Sequence, residues 1–294
     1  MNPVPEVGRF APSPTGDLHF GSLVSAVGSY LEAKSINGLW LLRIEDIDPP
    51  REVTGSAGRI INDLHRLGLN PDGPVLYQSS RTAAYEYAVD KLLEKGLAYP
   101  CACSRKDLLE SGRYAGTCRN GMPPGKIARS IRFCIDTDVS TFNDRLQGVV
   151  SESSAGSAGD FVIRRADGLF AYQLAVVVDD HFQGVTQIVR GADLLDSTTR
   201  QICLQKALGY VTPDYMHLPV VISADGKKLS KRAQTDPVHH QEPATAVERA
   251  LQFLGQNPPS GLSLSNLWKW ALEHWSSDRI PRARVNLPNS DLSA

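Results

Sequence analysis

The stretch that most constrains the fold of this chain reads GRFAPSPTGDLHFGSL and covers residues 8–23. The apolar run 7–11 predicts a short strand, and two prolines with a glycine directly after it end that strand. Apolar residues from Leu18 onward recur at helical spacing, and Asp17 is placed to cap this helix. A helix that begins behind a strand presents unpaired N–H groups and a positive dipole end, which suits a phosphate. In its first turn, His19 can donate to a phosphate, and Gly21 lets a flat ring approach the backbone.

Strand and helix patterns alternate from this stretch to residue 96. The sequence predicts a strand at 39–44, a short strand and turn at 75–81, and amphipathic helices at 54–68 and 82–95. Such alternation is typical of a parallel sheet with right-handed crossovers, and therefore of an α/β fold. Glu45, Asp46 and Asp48 follow the second strand, where open α/β sheets bind ligands, although a solvated acidic turn explains them equally well.

Three cysteines interrupt the alternation. Cys101 and Cys103 lie two positions apart, and Cys118 follows in the same glycine-containing segment. Thiolates at this spacing suit tetrahedral Zn²⁺ in a structural site, rather than three unrelated small residues. The fourth ligand is open from spacing alone, with three candidates nearby: Asp107, Tyr114 and Cys134.

The second half of the sequence predicts more strands and a basic turn. A strand is expected at 130–135, followed by a mobile loop at 144–159. Asp167-Gly168 predicts a hairpin whose second strand carries Tyr172 and ends at residues 179–180. Arg190 falls between a strand and a helix, 193–209 is expected to be helical, and 216–222 a strand. The turn KLSKR, 228–232, has two lysines and a serine that can close over a polyphosphate, and two helices are expected at 245–254 and 264–275.

Composition excludes several classes of protein. The chain has 294 residues, 41% of them apolar and 21% charged, which is typical of a globular protein with one large domain and an appendage. No apolar run is long enough to cross a bilayer, no signal peptide is visible, and five cysteines suit a reducing compartment, so we expect a cytoplasmic protein. The formal net charge of −1 gives no nucleic-acid signature, although a local basic face remains compatible with one.

Two of these motifs together resemble a known family. HFGS and KLSKR are similar to the HIGH and KMSKS signatures of class I aminoacyl-tRNA synthetases. RFAPSPTG followed by RIEDID resembles the glutamyl branch, and HFGSLVSAVGSYLEAK with the cysteine pattern resembles its short paralogues, which attach glutamate to queuosine in tRNA(Asp). The resemblance covers about residues 8–240.

The resemblance implies a residue-level site. Glutamate would be bound by a pocket in which Arg9 pairs with a carboxylate and Glu45 contacts the α-amino group; its residues are Arg9, Phe10, Ala11, Pro12, Ser13, Glu45, Tyr172 and Arg190. ATP, with Mg²⁺ bridging its phosphates, would be bound by His19, Gly21, Ser22, Lys228, Ser230 and Lys231, of which His19, Lys228 and Lys231 would be catalytic. Of the three candidates for the fourth zinc ligand, the resemblance selects Tyr114 beside Cys101, Cys103 and Cys118.

The expected architecture is a Rossmann-type nucleotide-binding catalytic domain with an inserted zinc-binding subdomain and a short helical C-terminal region. The catalytic domain would comprise 1–96 and 133–240, the latter with the KLSKR loop, the zinc-binding insert 97–132 and the helical tail 241–294. The resemblance implies that the protein activates glutamate with ATP without tRNA, then transfers it to queuosine in the anticodon of tRNA(Asp). We expect a monomer with no membrane partner.

Two alternatives remain from the sequence. An ordinary glutamyl-tRNA synthetase would charge the tRNA 3′ end, but such enzymes continue past the lysine motif with a large anticodon-binding region, and only 62 residues follow Arg232. A non-catalytic nucleotide-binding paralogue would belong to another class, and the intact HFGS and KLSKR motifs argue against it.

Overall fold

The structure is a computed structural model of the chain, and it describes residues 5–108, 114–135, 141–151, 159–220 and 237–282. The predicted KLSKR turn, with Lys228, Ser230 and Lys231, lies outside the described residues, as does 152–158 of the predicted mobile loop. Within the described ranges, none of the helices combines the length and the apolar character needed to cross a bilayer.

The first third of the chain forms alternating strands and helices, as predicted. β1 (Val7–Phe10) and β2 (Leu39–Ile44) pair in parallel with Val7 opposite Leu39, and β2 pairs in parallel with β3 (Leu76–Tyr77). This order confirms the predicted α/β class with a parallel sheet. The elements are β1 (Val7–Phe10), α1 (Phe20–Lys34), β2 (Leu39–Ile44), α2 (Ser56–Arg66), β3 (Leu76–Tyr77) and α3 (Thr82–Glu94).

The middle of the chain adds an antiparallel sheet and a hairpin. β4 (Ala98–Cys101), β5 (Ser130–Phe133) and β8 (Phe161–Arg164) form the antiparallel sheet, which uses strands from both sides of residue 132. The predicted domain boundaries, after residues 96, 132 and 240, remain predictions. β6 (Thr141–Asp144) and β7 (Gly148–Ser151) form the hairpin, so the prediction of a loop throughout 144–159 is wrong, because the valine pair in β7 completes an antiparallel ladder.

The second parallel unit carries the other half of the core. β10 (Asp214–Leu218) pairs in parallel with both β9 (Gln187–Gly191) and β6. A hydrogen bond of 3.0 Å from the Thr186 amide to the Val7 carbonyl joins this sheet to the sheet that contains β1. The C-terminal helices pack on α1, and Trp268 also donates to the Leu67 carbonyl at the end of α2 across 2.8 Å. The elements are α4 (Tyr172–Phe182), β9 (Gln187–Gly191), α5 (Leu195–Leu208), β10 (Asp214–Leu218), α6 (Pro243–Phe253) and α7 (Leu264–His274).

The predicted second strand of the Asp167-Gly168 hairpin is a helix. The turn itself forms, with the Arg165 amide bonded to the Leu169 carbonyl at 2.8 Å, but only one isolated bridge follows it. Tyr172 begins α4, whose residues 174–180 are all buried. A helix buried on every side shows no amphipathic period, and this is why its valine-rich run resembles a strand.

Candidate active site

The predicted phosphate-binding corner forms as a strand, a turn and a helix start, with one correction. Asp17 does not cap α1; its carboxylate instead accepts from Nε of Arg59 at 2.6 Å. His19 is the N-cap, and its Nδ1 accepts from the Ser22 amide at 3.2 Å. Since Nδ1 accepts, the neutral ring carries its proton on Nε2, which lies 3.0 Å from the Ser22 hydroxyl. Gly21 follows in the first turn, so the corner still presents a helix N-terminus to the cavity in front of it.

A cavity of about 750 Å³ opens between this corner and the ends of β2 and β9. Its wall contains every residue predicted for glutamate or ATP that the structure describes: Arg9, Phe10, Ala11, Pro12, Ser13, His19, Gly21, Ser22, Glu45, Tyr172 and Arg190. Pro219 and Val220, the last described residues before the lysine motif, also line it. Residues from both halves of the chain therefore converge on one space large enough for a nucleotide and an amino acid.

Asp180 organises the positive side of this cavity. Its carboxylate accepts from Nη1 of Arg43 at 2.7 Å and from Nε of Arg9 at 3.2 Å, and Arg43 in turn lies 3.4 Å from Glu45. Burial alone would raise the pKa of Asp180, but Arg43 and Arg9 hold it below its usual range. Burial raises the pKa of Glu45 despite the same two arginines. The cluster therefore fixes the Arg9 side chain from behind.

Arg190 lies in a second buried network, in which its guanidinium meets five protein acceptors. Nε donates to His217, and the terminal nitrogens lie within hydrogen-bond distance of Gln201, Thr198, Tyr172 and the Leu194 carbonyl, at 2.8, 2.9, 3.4 and 3.4 Å. The two longest contacts, to Tyr172 and Leu194, are the ones that a substrate carboxylate can replace most easily. Arg190 is thus held in one orientation at the cavity wall.

The sequence analysis did not identify Arg43, Asp144, Asp180 or His217, and all four are at least 97% buried. Asp144 ends the polar strand β6, whereas Arg43, Asp180 and His217 are ionisable residues inside an apolar run of a strand or helix. That position is a usable signal, because a charge inside a buried element requires a partner from elsewhere in the fold.

The cysteines also converge. The sulfur atoms of Cys101, Cys103 and Cys118 all lie within 4.8 Å of one another, with 3.7 Å between the last two. The Tyr114 hydroxyl lies 3.4 Å from Sγ of Cys101 and 3.7 Å from Sγ of Cys103. Tetrahedral zinc with Zn–S bonds of about 2.3 Å places its ligands about 3.8 Å apart, so this donor set fits that ion.

The two other candidates for the fourth position are placed differently. The Asp107 carboxylate accepts from the amide and the hydroxyl of Ser104, both at 2.7 Å, and is exposed. Cys134 packs against the cluster but does not belong to the group of three converging sulfur atoms.

Arg132 supports the cluster from behind. Its Nε donates to Sγ of Cys101 at 3.3 Å, and its guanidinium lies 3.8 Å from the centre of the Tyr114 ring. Burial opposes ionisation of Cys101, but Tyr114, the Cys103 amide and Arg132 together lower the pKa of this thiol. A thiolate is the form that binds a metal ion.

Comparison with known proteins identifies the family of the chain. The family described as tRNA synthetases class I (E and Q), catalytic domain, matches residues 7–245. The crystal structure of a glutamate tRNA ligase from Elizabethkingia meningosepticum, in complex with its amino acid, matches with a TM-score of 0.79 and 25% identity over 95% of this chain and 66% of that one. The chain therefore has the catalytic fold of the class I aminoacyl-tRNA synthetases of the glutamate and glutamine branch.

Closer relatives narrow the assignment. The glutamyl-Q tRNA(Asp) synthetase of Dechloromonas aromatica is 52% identical over 96% of this chain and 98% of its own length. The glutamyl-Q tRNA(Asp) synthetase of Aromatoleum aromaticum is 53% identical over 95% of this chain and 91% of its own length. The chain belongs to the glutamyl-Q tRNA(Asp) synthetase family, whose members are ligases of the aminoacyl-tRNA synthetase type.

Proposed function

We propose that this protein activates glutamate with ATP, without tRNA, and then transfers the glutamyl group to queuosine in the anticodon of tRNA(Asp). The observation that carries the proposal is the single cavity whose wall contains both the helix N-terminus with His19 and the pocket with Arg9, Glu45 and Arg190. A phosphate site and a site for a zwitterionic amino acid with a second carboxylate thus share one space.

In the first step, a carboxylate oxygen of glutamate attacks the α-phosphorus of ATP. A C–O–P bond forms, the bond to the bridging oxygen of the β-phosphate breaks, and pyrophosphate leaves. Such chemistry requires alignment and charge stabilisation rather than a protein nucleophile. His19 and the N–H groups at the start of α1 would stabilise the phosphates, and Mg²⁺ bound with ATP would neutralise part of their charge. The resemblance assigns Lys228 and Lys231, which lie outside the described residues, to the same phosphates.

Glutamate recognition follows from the charges of the cavity. Arg9, fixed from behind by Asp180, and Arg190, fixed by His217, offer positive charge to the carboxylates. Glu45 offers negative charge to the ammonium group, and Tyr172 closes the wall beside Arg190. In the second step, a hydroxyl of the cyclopentene diol of queuosine attacks the activated carbonyl carbon, an ester forms, and AMP leaves.

We also propose that Cys101, Cys103, Tyr114 and Cys118 hold one structural Zn²⁺. The ion would connect the chain after β4 to the segment that leads into β5, since these ligands come from both. A phenolate is an unusual zinc ligand, and the position of the Tyr114 hydroxyl beside two sulfur atoms is what supports it here.

Two measurements test the function. The first is exchange of labelled pyrophosphate into ATP, which should depend on glutamate and occur without tRNA. The second is transfer of labelled glutamate to tRNA whose 3′-terminal ribose has been blocked with periodate while the queuosine diol is spared or restored. We expect label on queuosine-containing tRNA(Asp) and little on tRNA(Glu).

The outcomes separate the alternatives. Label on the 3′-terminal adenosine, or equal charging of queuosine-free tRNA, would indicate an ordinary glutamyl-tRNA synthetase. If no amino acid supports exchange, the result would favour the alternative of a non-catalytic nucleotide-binding protein.

A further inference from the structure

A second cavity, of about 950 Å³, adjoins the first. Asp48, Arg51 and Arg165 line both cavities, and they are the only described lining residues that the two share. On its far side the second cavity reaches the cysteine cluster, since Cys103 and Tyr114 line it. It therefore extends from the rim of the glutamate pocket to the candidate metal site.

Positive charge dominates the wall of this cavity. Two of its three aspartates are already paired with arginines of the same wall: Asp48 with both Arg51 and Arg165, and Asp167 with Arg165. The third, Asp160, is buried and accepts from the Tyr99 hydroxyl at 2.6 Å. Five arginines face these three acids: Arg51, Arg129, Arg132, Arg165 and Arg200.

The exposed arginines of this wall, Arg51 and Arg129, lie on segments whose backbone is hydrogen-bonded within the fold. Arg129 is exposed, and its amide donates to the Cys101 carbonyl at 2.9 Å, directly beside the cysteine cluster. Arg51 has a side chain that is 75% exposed and ends the short 3-10 helix after β2, at the rim shared with the glutamate pocket. The two guanidinium groups can thus reach a ligand at opposite ends of the cavity.

We propose that this second cavity, the arginine groove, binds backbone phosphates of a single-stranded RNA loop next to the nucleotide that accepts glutamate. The proposal rests on the proposed function, because it takes the first cavity as the place of transfer. Sequence-specific enzymes acting on RNA loops receive an unstacked base in a pocket, while the neighbouring phosphates need cationic contacts outside it. The groove provides such contacts beside the pocket rim, on a protein whose formal net charge is only −1.

The test uses an RNA hairpin with the anticodon stem and loop of queuosine-containing tRNA(Asp), and binding is measured by fluorescence anisotropy at several salt concentrations. The variants are Arg129→Ala, Arg51→Ala and both together. Arg282→Ala is the matched control, because Arg282 is exposed and lines neither cavity. Thermal unfolding of each variant confirms that it is folded.

Each single groove variant should weaken binding by about three- to tenfold near 0.1 M salt and reduce the magnitude of the slope of log K against log salt by about 0.7, and the double variant should reduce it by about twice as much. The weakening should be equal for a hairpin without queuosine, because phosphate contacts carry no base information. Arg282→Ala should bind as the wild type does.

Three results would overturn the groove: no binding of the hairpin by the wild type, a double variant with wild-type affinity and salt slope, or an equal loss in Arg282→Ala. Pyrophosphate exchange by the wild type is measured separately. If exchange fails while the Arg129 and Arg51 effects on binding hold, the proposed activation is wrong and the groove stands. If exchange succeeds while those effects on binding are absent, the groove is wrong and the proposed activation stands.

Discussion

Nε of Arg190 donates a hydrogen bond to Nε2 of His217 across 3.1 Å, in the buried interior between β9 and β10. Nδ1 of the same ring lies 2.6 Å from the Asp144 carboxylate. Because a guanidinium group only donates, Nε2 is the acceptor and the proton of the neutral ring is on Nδ1, directed at Asp144. A carboxylate in the β6–β7 hairpin thus orients, through one imidazole, an arginine that lines the cavity proposed to bind glutamate.

Removing the imidazole acceptor should weaken glutamate recognition. In His217→Leu the Nε donor of Arg190 loses its partner, and we expect KM for glutamate to rise at least about tenfold, equivalent to about 1.4 kcal/mol. His217→Gln places an oxygen near the former Nε2 and should recover part of the loss. KM for ATP, measured in the same pyrophosphate-exchange assay, should change little. An unchanged KM for glutamate in His217→Leu would show that the hydrogen bond does not orient Arg190 for binding.

The same imidazole should give the fold a measurable pH dependence. Burial and the positive charge of Arg190 lower the pKa of His217, despite the opposing effect of Asp144. The unfolded chain takes up this proton near pH 6.5, and the folded protein only at a lower pH, so the free energy of unfolding should fall as the pH drops below about 6.5.

The contribution of His217 to the free energy of unfolding should change by up to about 1.4 kcal/mol per pH unit, and this pH dependence should disappear in His217→Gln. Urea denaturation between about pH 5 and 7 measures it, because Asp144 titrates at a lower pH in both states. Identical pH profiles for the wild type and His217→Gln would contradict the neutral, buried ring.

The site was predictable from the sequence where its residues are adjacent in a motif. The strand, turn and helix around His19 depend on local chemistry, namely two prolines, a glycine and a run of helical spacing, and they form as expected apart from the cap. Asp17 has a good capping side chain, but Arg59, from α2, binds it, and no local pattern reports that competition.

The parts that could not be predicted are those decided by tertiary burial. The run that begins at Tyr172 contains three valines and favours a strand by propensity, yet it is a helix because its surroundings bury every side of it. Asp179 and Asp180 were predicted to end a strand, but they lie inside α4. Each forms an ion pair with an arginine from a segment distant in sequence. Ion pairs between segments far apart in sequence produce no periodic pattern from which they could be predicted.

Metal retention should separate the two tyrosines near the cysteine cluster. The Tyr114 hydroxyl is directed at the sulfur atoms, whereas that of Tyr99, in the same apolar cluster, donates to Asp160 at 2.6 Å. Protein purified without added metal should contain one zinc per chain, and Tyr114→Phe should release it to a metallochromic chelator faster than Tyr99→Phe does.

Cys101→Ser combined with Cys103→Ser should abolish the zinc content, because a structural site requires its full ligand set. Elemental analysis provides this measurement. Wild-type retention in Tyr114→Phe would point to Asp107, Cys134 or a water molecule as the fourth ligand, and a wild type without zinc would remove the site altogether.

Breaking the Asp180 cluster should destabilise the protein far more than breaking an exposed pair. Asp180 is 97% buried and neutralises two arginines, so Asp180→Asn leaves Arg9 and Arg43 with one buried carboxylate, Glu45, between them. We expect a loss of about 3–5 kcal/mol in the free energy of unfolding. Asp167→Asn is the matched control, because that aspartate also binds an arginine but is 46% exposed, and its pair is worth about 1 kcal/mol or less.

Urea denaturation of the two variants against the wild type measures the difference, and a change in the midpoint without a change in slope identifies it as a change in stability. The pKa of Asp180 is lowered by its two arginines, so the folded state favours the carboxylate. Its contribution should therefore be present above the unfolded aspartate pKa of about 3.9 and disappear as the pH falls through the lower folded pKa. If Asp180→Asn costs no more than Asp167→Asn at neutral pH, the buried cluster does not stabilise this fold, and Arg9 must be held in the cavity wall by its packing alone.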